Sequence, residues 1–143
     1  MNKAAVIYWS QTGNTEQMAA AIAEGVRVGG MECDLLQVGE TNAAAVAGYE
    51  KIALGCPAMG AEVLEEMEFE PFFTELESKL AGCRVALFGS YGWGDGQWMR
   101  DWVQRTEDAN ANLYTGEGLI INETPDEAGL EKCRSFGQGF AAY

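Results

Sequence analysis

The sequence predicts an α/β fold, namely a three-layer, doubly wound, five-stranded parallel sheet with strand order 2-1-3-4-5. Short apolar runs suited to buried strands alternate along the chain with amphipathic segments suited to helices. This alternation is typical of parallel strands joined by helical crossovers. Polar, glycine-punctuated loops follow the first, third and fourth runs. Because ligands of such sheets bind outside the carboxyl ends of the strands, where the winding reverses, these loops predict a binding site.

The N-terminal half supplies three of the predicted strands. The first covers residues 3–9, the second residues 32–38 and the third residues 52–55. A short helix or turn is expected at residues 41–48, between the second and third strands. The helix after the first strand has an apolar face at helical spacing, made of Met18, Ala19, Ile22 and Val26.

The C-terminal half continues the alternation with a helix from about residue 71 and a fourth strand at residues 84–89. That helix has an apolar stripe made of Phe69, Phe72, Phe73, Leu76 and Leu80. The next helix is marked by Met99, Trp102 and Val103. The fifth strand is expected in two pieces, at residues 112–114 and 119–121.

The last helix has a recognisable start. Thr124 is expected to cap it, with Pro125 in the first turn and Glu127 three residues after the cap. Its buried face is made of Cys133, Phe136, Gly137 and Phe140. With no repeat or linker in view, the chain is interpreted as a single domain spanning residues 1–143.

Charge and composition restrict the function. With a net charge of -13, the chain is not expected to bind nucleic acid or an anionic membrane surface, and its natural protein partner has a basic face. The chain contains no histidine, which removes Ser-His and Cys-His nucleophile designs and makes hydrolysis a poor interpretation. No catalytic residue is therefore assigned.

The cysteines and the hydropathy predict the compartment. Cys33, Cys56, Cys83 and Cys133 lie far apart and form no C-x-x-C pair, which argues against a zinc or iron–sulfur site and suits a reducing setting. No apolar run approaches the ~20 residues that span a bilayer. The N-terminus lacks the pattern of a signal peptide. We therefore expect a cytoplasmic protein without a metal.

The turn after the first strand predicts a phosphate site. Ser10, Gln11, Thr12, Gly13, Asn14 and Thr15 follow an apolar run directly and precede a helix. The hydroxyls, the amide and the free N–H groups of the helix start can hold an anion without any lysine or arginine. The alternative is an ordinary helix cap, although a cap uses only one hydroxyl.

Two further loops each present a large polarizable side chain. Met59 lies in the loop at residues 55–62, and Trp93 lies in the loop at residues 89–96. A flat aromatic ligand held between a thioether and an indole would explain both. The alternative is that Trp93 folds back onto the core, as Trp98 and Trp102 are expected to do. Beside a phosphate site, a phosphate-bearing aromatic cofactor is the better interpretation.

The three motifs together resemble the short-chain flavodoxins of anaerobic bacteria over essentially the whole chain. The resemblance is densest at residues 8–16, 54–60 and 86–94. It implies tightly but non-covalently bound FMN and low-potential one-electron transport, between neutral semiquinone and anionic hydroquinone, in place of a ferredoxin. It also implies that the protein is a monomer and that it is not itself an enzyme. Its redox partners would be ferredoxin-dependent oxidoreductases.

The resemblance also implies a set of FMN contacts. Ser10 to Thr15 would hold the phosphate, Met59 and Trp93 would flank the ring, Glu62 would lie near its pyrimidine edge and Gly60 near N5. The full set comprises Ser10, Gln11, Thr12, Gly13, Asn14, Thr15, Pro57, Ala58, Met59, Gly60, Ala61, Glu62, Ser90, Tyr91, Gly92, Trp93 and Gly94. Gln11 replaces a common glycine of the family, and Ala61 replaces a polar residue.

Two hypotheses follow for the loop at residues 55–62 and the acidic segment after it. The Gly60-Ala61 peptide is expected to turn over on reduction, because glycine reaches backbone conformations that a side chain forbids. A run of carboxylates would make the second reduction harder or dock a basic partner, unless it is only a solvated face. That run is made of Glu62, Glu65, Glu66, Glu68 and Glu70.

Three alternatives remain beside the electron carrier. A flavin-dependent NAD(P)H or quinone reductase could share the fold, but no second motif is visible, and Gln97 takes the place of the last glycine of a G-x-G-x-x-G pattern. A signalling receiver domain would need clustered aspartates after the first strand, where this chain has Ser10, Gln11 and Thr12. A non-flavin binding module would require Met59 and Trp93 to be core residues.

Overall fold

The computed structural model describes residues 3–143, and within them one parallel sheet lies between two layers of helices. The strands are β1 (Lys3–Tyr8), β2 (Glu32–Gln37), β3 (Lys51–Gly55), β4 (Arg84–Tyr91), β5 (Asn112–Leu113) and β6 (Leu119–Asn122). The helices are α1 (Asn14–Val28), α2 (Ala43–Val46), α3 (Phe69–Glu77), α4 (Gln97–Asp108) and α5 (Glu127–Ala142). None of the helices described is long and apolar enough to cross a membrane.

The strand order is β2-β1-β3-β4-β5, which confirms the predicted order. The predicted break in the fifth strand is also present, because β5 and β6 both pair with β4. β5 lies beside Arg84 and Val85 at the start of β4, and β6 lies beside its last four residues, 88–91. Between them a tight turn over Tyr114–Gly116 contains Thr115 in the left-handed region, at φ 63°.

The core has one part on each side of the sheet. On one side, α1 and α5 cover the strands, and the predicted face of α1 is fully buried. Those helices approach closely at Gly25 and Gly137, where a Cβ would overlap a backbone carbonyl of the opposite helix. On the other side, α2, α3 and α4 enclose the larger part, including Trp98 and Trp102, which are 2% and 1% exposed.

Three element boundaries differ from the sequence interpretation. β4 runs two residues beyond Gly89, so that Ser90 and Tyr91 end the strand and do not begin the loop. α3 begins at Phe69, which places Pro71 in its first turn, where a missing N–H is harmless. Thr124 does not cap the last helix, because Asp126 accepts the N–H of Gly129 at 2.7 Å while the Thr124 hydroxyl donates to Asn14 Oδ1 at 3.0 Å.

The cysteines are free thiols in the part of the chain described. Cys33, Cys56 and Cys133 are buried, and Cys83 is half-buried. Burial raises the pKa of Cys33 to about 11 and that of Cys133 to about 12, so both thiols stay protonated at neutral pH. Cys33 and Cys133 therefore behave as packing residues.

Candidate cofactor site

A cavity of about 220 Å³ opens at the carboxyl edge of the sheet, beyond β1, β3 and β4. It lies where the winding of the sheet reverses, between strands β1 and β3. Three loops enclose it, each of which follows one of those strands. The residues that line it are Trp9, Ser10, Gln11, Thr12, Asn14, Thr15, Pro57, Ala58, Met59, Ser90, Tyr91, Gly92 and Glu123.

The turn after β1 both caps α1 and leaves donors free. Ser10 Oγ accepts the N–H groups of Gly13 at 3.2 Å and Glu16 at 3.3 Å. Gly13 has φ 94°, a conformation that favours glycine and that turns the chain into the helix. Since α1 begins at Asn14, the N–H groups of Asn14 and Thr15 have no acceptor within the helix. Capping by the Ser10 hydroxyl therefore leaves the N–H groups of Asn14 and Thr15 available to an anion.

The start of α1 and the end of β4 are joined by a buried contact between Thr15 and Ser90. Their hydroxyl oxygens are 2.9 Å apart, and the Ser90 N–H also donates to Thr15 Oγ1 at 3.3 Å. Thr15 is 1% exposed and Ser90 5%. The contact thus connects the start of α1 with the end of β4, at positions 75 residues apart in sequence, beside the cavity.

The second loop follows the end of β3 and contains a tight turn closed by backbone hydrogen bonds. Ala58 N–H donates to Ser90 O at 3.0 Å, and Met59 N–H donates to Val63 O at 3.0 Å. Glu62 N–H donates to Met59 O at 2.7 Å, and Glu62 has φ 54°. Cys56 anchors the return of the loop, because its Sγ accepts the Glu65 N–H at 3.4 Å. Met59 is therefore presented to the cavity by a closed, hydrogen-bonded turn.

The cavity includes most of the predicted contacts but not all of them. Six of the predicted residues lie in the same loops without lining it, namely Gly13, Gly60, Ala61, Glu62, Trp93 and Gly94. Trp93 does not fold onto the core, since 63% of its surface is exposed. Tyr91 lines the cavity and packs on Trp98, with ring centroids 5.7 Å apart.

Two lining residues were missed by sequence reasoning. Trp9 follows the last residue of β1, whereas the sequence interpretation made it the last residue of the first strand. Glu123 follows β6, has φ 59° and donates its N–H to Tyr91 O at 2.7 Å. A signal was available for Glu123, because the residue after the last strand must reach the same carboxyl edge as the loop after β4.

Comparison with known proteins agrees with this architecture. The family model described as flavodoxin matches residues 6–137.

The chain belongs to the flavodoxin family.

Two relatives match over nearly their whole length. The flavodoxin of Megasphaera elsdenii is 48% identical over 136 residues, 95% of this chain and 96% of the relative. The flavodoxin of Clostridium beijerinckii is 46% identical over 136 residues, 95% of this chain and 97% of the relative. The solution structure of the two-electron reduced Megasphaera elsdenii flavodoxin superposes with a TM-score of 0.89, covering 98% of this chain and 99% of that one. The resemblance to short-chain flavodoxins is therefore confirmed.

Flavodoxins bind FMN, and an unpartnered carboxylate tests whether these residues suit it. Glu62 Oε1 is buried and has no hydrogen-bond partner in the part of the chain described. It lies against Gly94, where a Cβ would overlap the carboxylate, so only glycine fits there. A buried acceptor without a donor is costly, and a ring N–H of a bound isoalloxazine is a donor of the right kind. The residues present therefore suit FMN: those at the start of α1 would hold its phosphate, and Met59 would lie beside its ring.

The acidic segment after the second loop is not a uniform solvated face. Glu65 is 6% exposed and accepts three backbone N–H groups, those of Met67, Glu68 and Phe69, at 2.8, 2.8 and 2.9 Å. Glu70 forms an ion pair with Arg105 at 2.8 Å. The interpretation of Glu65 as part of a docking surface is therefore wrong, because its carboxylate is turned inward to hold the start of α3.

The pKa of Glu65 reflects that position. Burial acts to raise the pKa of this carboxyl group, and the hydrogen bonds from Phe69, Glu68 and Met67 more than offset it, so that the net pKa lies below its ordinary value. Glu65 is therefore charged at neutral pH while it is buried.

Proposed function

We propose that this chain is a low-potential electron carrier that binds FMN non-covalently and exchanges one electron at a time, between neutral semiquinone and anionic hydroquinone, in place of a ferredoxin. When bound, FMN supplies the electron-accepting ring, and the protein supplies binding, orientation and electrostatics. Membership of the flavodoxin family supports FMN as the cofactor. The steps between oxidation states and the role in place of ferredoxin are our extension of it.

The observation that carries the proposal is the composition of the cavity. Uncharged hydroxyl, amide and backbone N–H donors meet at the N-terminus of α1, where the helix dipole favours an anion. Met59 and Tyr91 provide apolar surface on the other walls. A phosphate monoester joined to a flat ring satisfies both parts of the cavity at once.

The cavity offers little acid–base chemistry. Its titratable lining residues are Tyr91 and Glu123, and the chain contains no histidine. Electron transfer to and from a bound ring requires no nucleophile and no general base from the protein. Glu123 is instead suited to accept hydrogen bonds from hydroxyl groups of a ligand.

The partners follow from charge. With 22 acidic and 9 basic residues, the chain carries a net charge of -13, so a redox partner with a basic docking face is attracted at low salt. The proposed partners are ferredoxin-dependent oxidoreductases, and we propose that this chain binds them as a monomer. The free thiols of the described residues agree with a reducing, cytoplasmic compartment.

An absorption spectrum during stepwise anaerobic reduction tests the proposal. We expect a flavin spectrum that passes through a long-wavelength band of the neutral semiquinone before it bleaches. Bleaching in a single step by NAD(P)H would contradict the carrier and favour a reductase. A protein that binds no added FMN would contradict the cofactor assignment.

A further inference from the structure

The segment Glu66, Met67 and Glu68, named here the Met67 turn, presents an apolar side chain between two carboxylates. Met67 is 83% exposed, the highest value of any large apolar side chain described, and both glutamates are exposed. An exposed thioether of this size in water is unfavourable by roughly 1.5–3 kcal/mol relative to burial. Such a side chain indicates a contact surface.

The backbone of the Met67 turn is fixed from inside. Glu65 Oε2 accepts the Met67 N–H at 2.8 Å, and Glu65 Oε1 accepts the Glu68 N–H at 2.8 Å. Glu65 is itself tied to the end of β3 through its N–H bond to Cys56 Sγ at 3.4 Å. Met67 is therefore exposed on a turn whose backbone is fixed by hydrogen bonds to Glu65. Because the backbone of the turn is already fixed, less backbone entropy is lost when a partner covers Met67.

The Met67 turn is adjacent to the cofactor cavity. The Trp9 indole N–H donates to Glu68 Oε1 at 3.2 Å, and Trp9 lines the cavity. A protein that covers Met67 would therefore lie beside the cavity wall on the β1 side. A partner bound there is close to the place from which an electron would leave.

We propose that Met67 is the apolar anchor of the docking surface, and that its partner is a redox protein with a small apolar patch ringed by lysine or arginine. The basic ring is required by Glu66 and Glu68, which flank the anchor and would be left without counter-charges on a neutral surface. An unbranched thioether adapts to patches of different shape, so one anchor can serve several partners. This inference rests on the proposed function, since it names the contact through which that carrier meets its partners.

Binding of the FMN-loaded, oxidised protein to a lysine-ringed c-type cytochrome with an apolar haem edge tests the anchor. The dissociation constant is measured by NMR titration at three ionic strengths, so that no electron transfer is needed. Met67→Ser is expected to weaken binding about fivefold at every ionic strength, because it removes a salt-insensitive apolar term. Glu66→Gln is expected to weaken binding at low salt and to reduce the salt dependence.

A matched control is available on α1. Val28 is 65% exposed and lies at the end of α1, at the edge of the sheet opposite the cavity, so Val28→Ser is expected to leave binding unchanged. Met67→Leu, which keeps the apolar side chain, is expected to bind like the unsubstituted protein. Three results would each overturn the role of Met67 as an anchor. They are Met67→Ser binding as tightly as the unsubstituted protein, Val28→Ser weakening binding as much as Met67→Ser, and no binding by the unsubstituted protein.

The proposed function is tested separately in the same samples. FMN affinity and the reduction spectrum are expected to be the same for all four variants, because none of the substituted residues lines the cavity. If the titration contradicts the role of Met67 while the flavin spectrum is normal, the electron-carrier proposal is not contradicted. An unsubstituted protein that binds no FMN contradicts the electron carrier, whatever the titration shows.

Discussion

Thr15 Oγ1 and Ser90 Oγ lie 2.9 Å apart, and this contact joins the first turn of helix α1 to the end of strand β4 at the cavity. The Ser90 N–H donates to the same threonine oxygen at 3.3 Å, so one hydroxyl group contacts both the side-chain oxygen and the backbone N–H of Ser90. Both residues are buried. A single side-chain oxygen therefore makes both of these hydrogen-bond contacts between α1 and β4.

Thr15→Val removes that oxygen while keeping the shape of the side chain. We expect the free energy of unfolding of the FMN-free protein to fall by about 1–3 kcal/mol, because the hydroxyl and N–H of Ser90 are left buried without a partner. FMN affinity is expected to fall as well, since the start of α1 and the end of β4 lose this contact beside the cavity. Urea unfolding and flavin fluorescence titration measure the two effects. Thr12→Val, in the exposed part of the same turn, is the control and should not change stability.

Glu65→Gln tests the inward-turned carboxylate. Gln cannot accept three N–H groups as a charged carboxylate does, so the free energy of unfolding at pH 7 is expected to fall by about 2 kcal/mol. Glu66→Gln, next to it and exposed, is the control and should stay within about 0.5 kcal/mol of the unsubstituted protein. Equal effects of the two substitutions would contradict the role of Glu65 in holding the turn.

The pH dependence of stability follows from the same carboxylate. Its pKa is lower in the folded chain than the value of about 4.3 for an unfolded glutamate. Such a group stabilises the fold above the unfolded pKa, and that contribution is lost as the pH falls through the folded pKa. We expect unfolding free energy measured in urea to fall more steeply below about pH 5 for the unsubstituted protein than for Glu65→Gln. Parallel pH curves would contradict this.

Arg105→Lys tests the connection between α4 and α3. The guanidinium donates to both carboxylate oxygens of Glu70, at 2.8 and 2.9 Å, and to both of Glu77, at 3.1 and 3.2 Å. It also lies over the Phe73 ring, 4.9 Å from its centroid. A lysine cannot reproduce this fork, so stability is expected to fall by about 1 kcal/mol, a small value because the groups are about one-third exposed.

The control for Arg105 is Arg100→Lys. Arg100 pairs with Asp95 at 2.9 Å, but their side chains are 55% and 79% exposed. No measurable loss of stability is expected there. Thermal unfolding at low and high salt compares the two variants, and a larger loss for Arg100→Lys would be the contrary result.

Gly137→Ala tests the close approach of α1 and α5. A Cβ at this position would overlap the carbonyl oxygen of Ile22, so the helices must separate, and a loss of about 1–3 kcal/mol in unfolding free energy is expected. Gly60→Ala is the control, because a Cβ there meets nothing within 4 Å. A stable Gly137→Ala variant would show that the helices move apart readily.

Gly60→Val tests the predicted turnover of the Gly60-Ala61 peptide. Because the conformation seen here has room for a side chain at Gly60, the substitution is expected to leave the FMN-free fold unchanged. The conformation after turnover is the one that a β-branched residue would resist. A lower semiquinone yield in a reductive titration is therefore expected. An unchanged yield would count against the turnover.

The fold could be predicted from sequence because its signals are local. The buried face of α1 and the split fifth strand both appeared where the apolar pattern placed them. Gly89 misled the interpretation of β4, since a glycine was taken as the start of a loop. The strand continues through Gly89, which pairs with Ile120 of β6, and a glycine is needed there because a Cβ would overlap the carbonyl oxygen of Cys56, just after β3.

The site was only partly predictable, because several roles depend on distant partners. Nothing near Glu65 in the sequence distinguishes it from Glu66, and only the folded chain shows that one is turned inward and the other outward. Trp9 and Glu123 line the cavity because each follows the carboxyl end of a strand, and neither belongs to a recognisable binding motif. Asp126 competes with Thr124 for the cap, and the contact of Thr124 with Asn14 decides it.

The interruption of the fifth strand gives the chain a place where its length can change. Thr115, Gly116 and Glu117 are exposed, and the strands on either side of them are each paired with β4 on their own. A peptide inserted at this turn would not alter the register of either strand, and each doubling of its length would cost only about 0.6 kcal/mol in closure entropy. An affinity sequence or a reporter group could be carried there without disturbing the walls of the cavity.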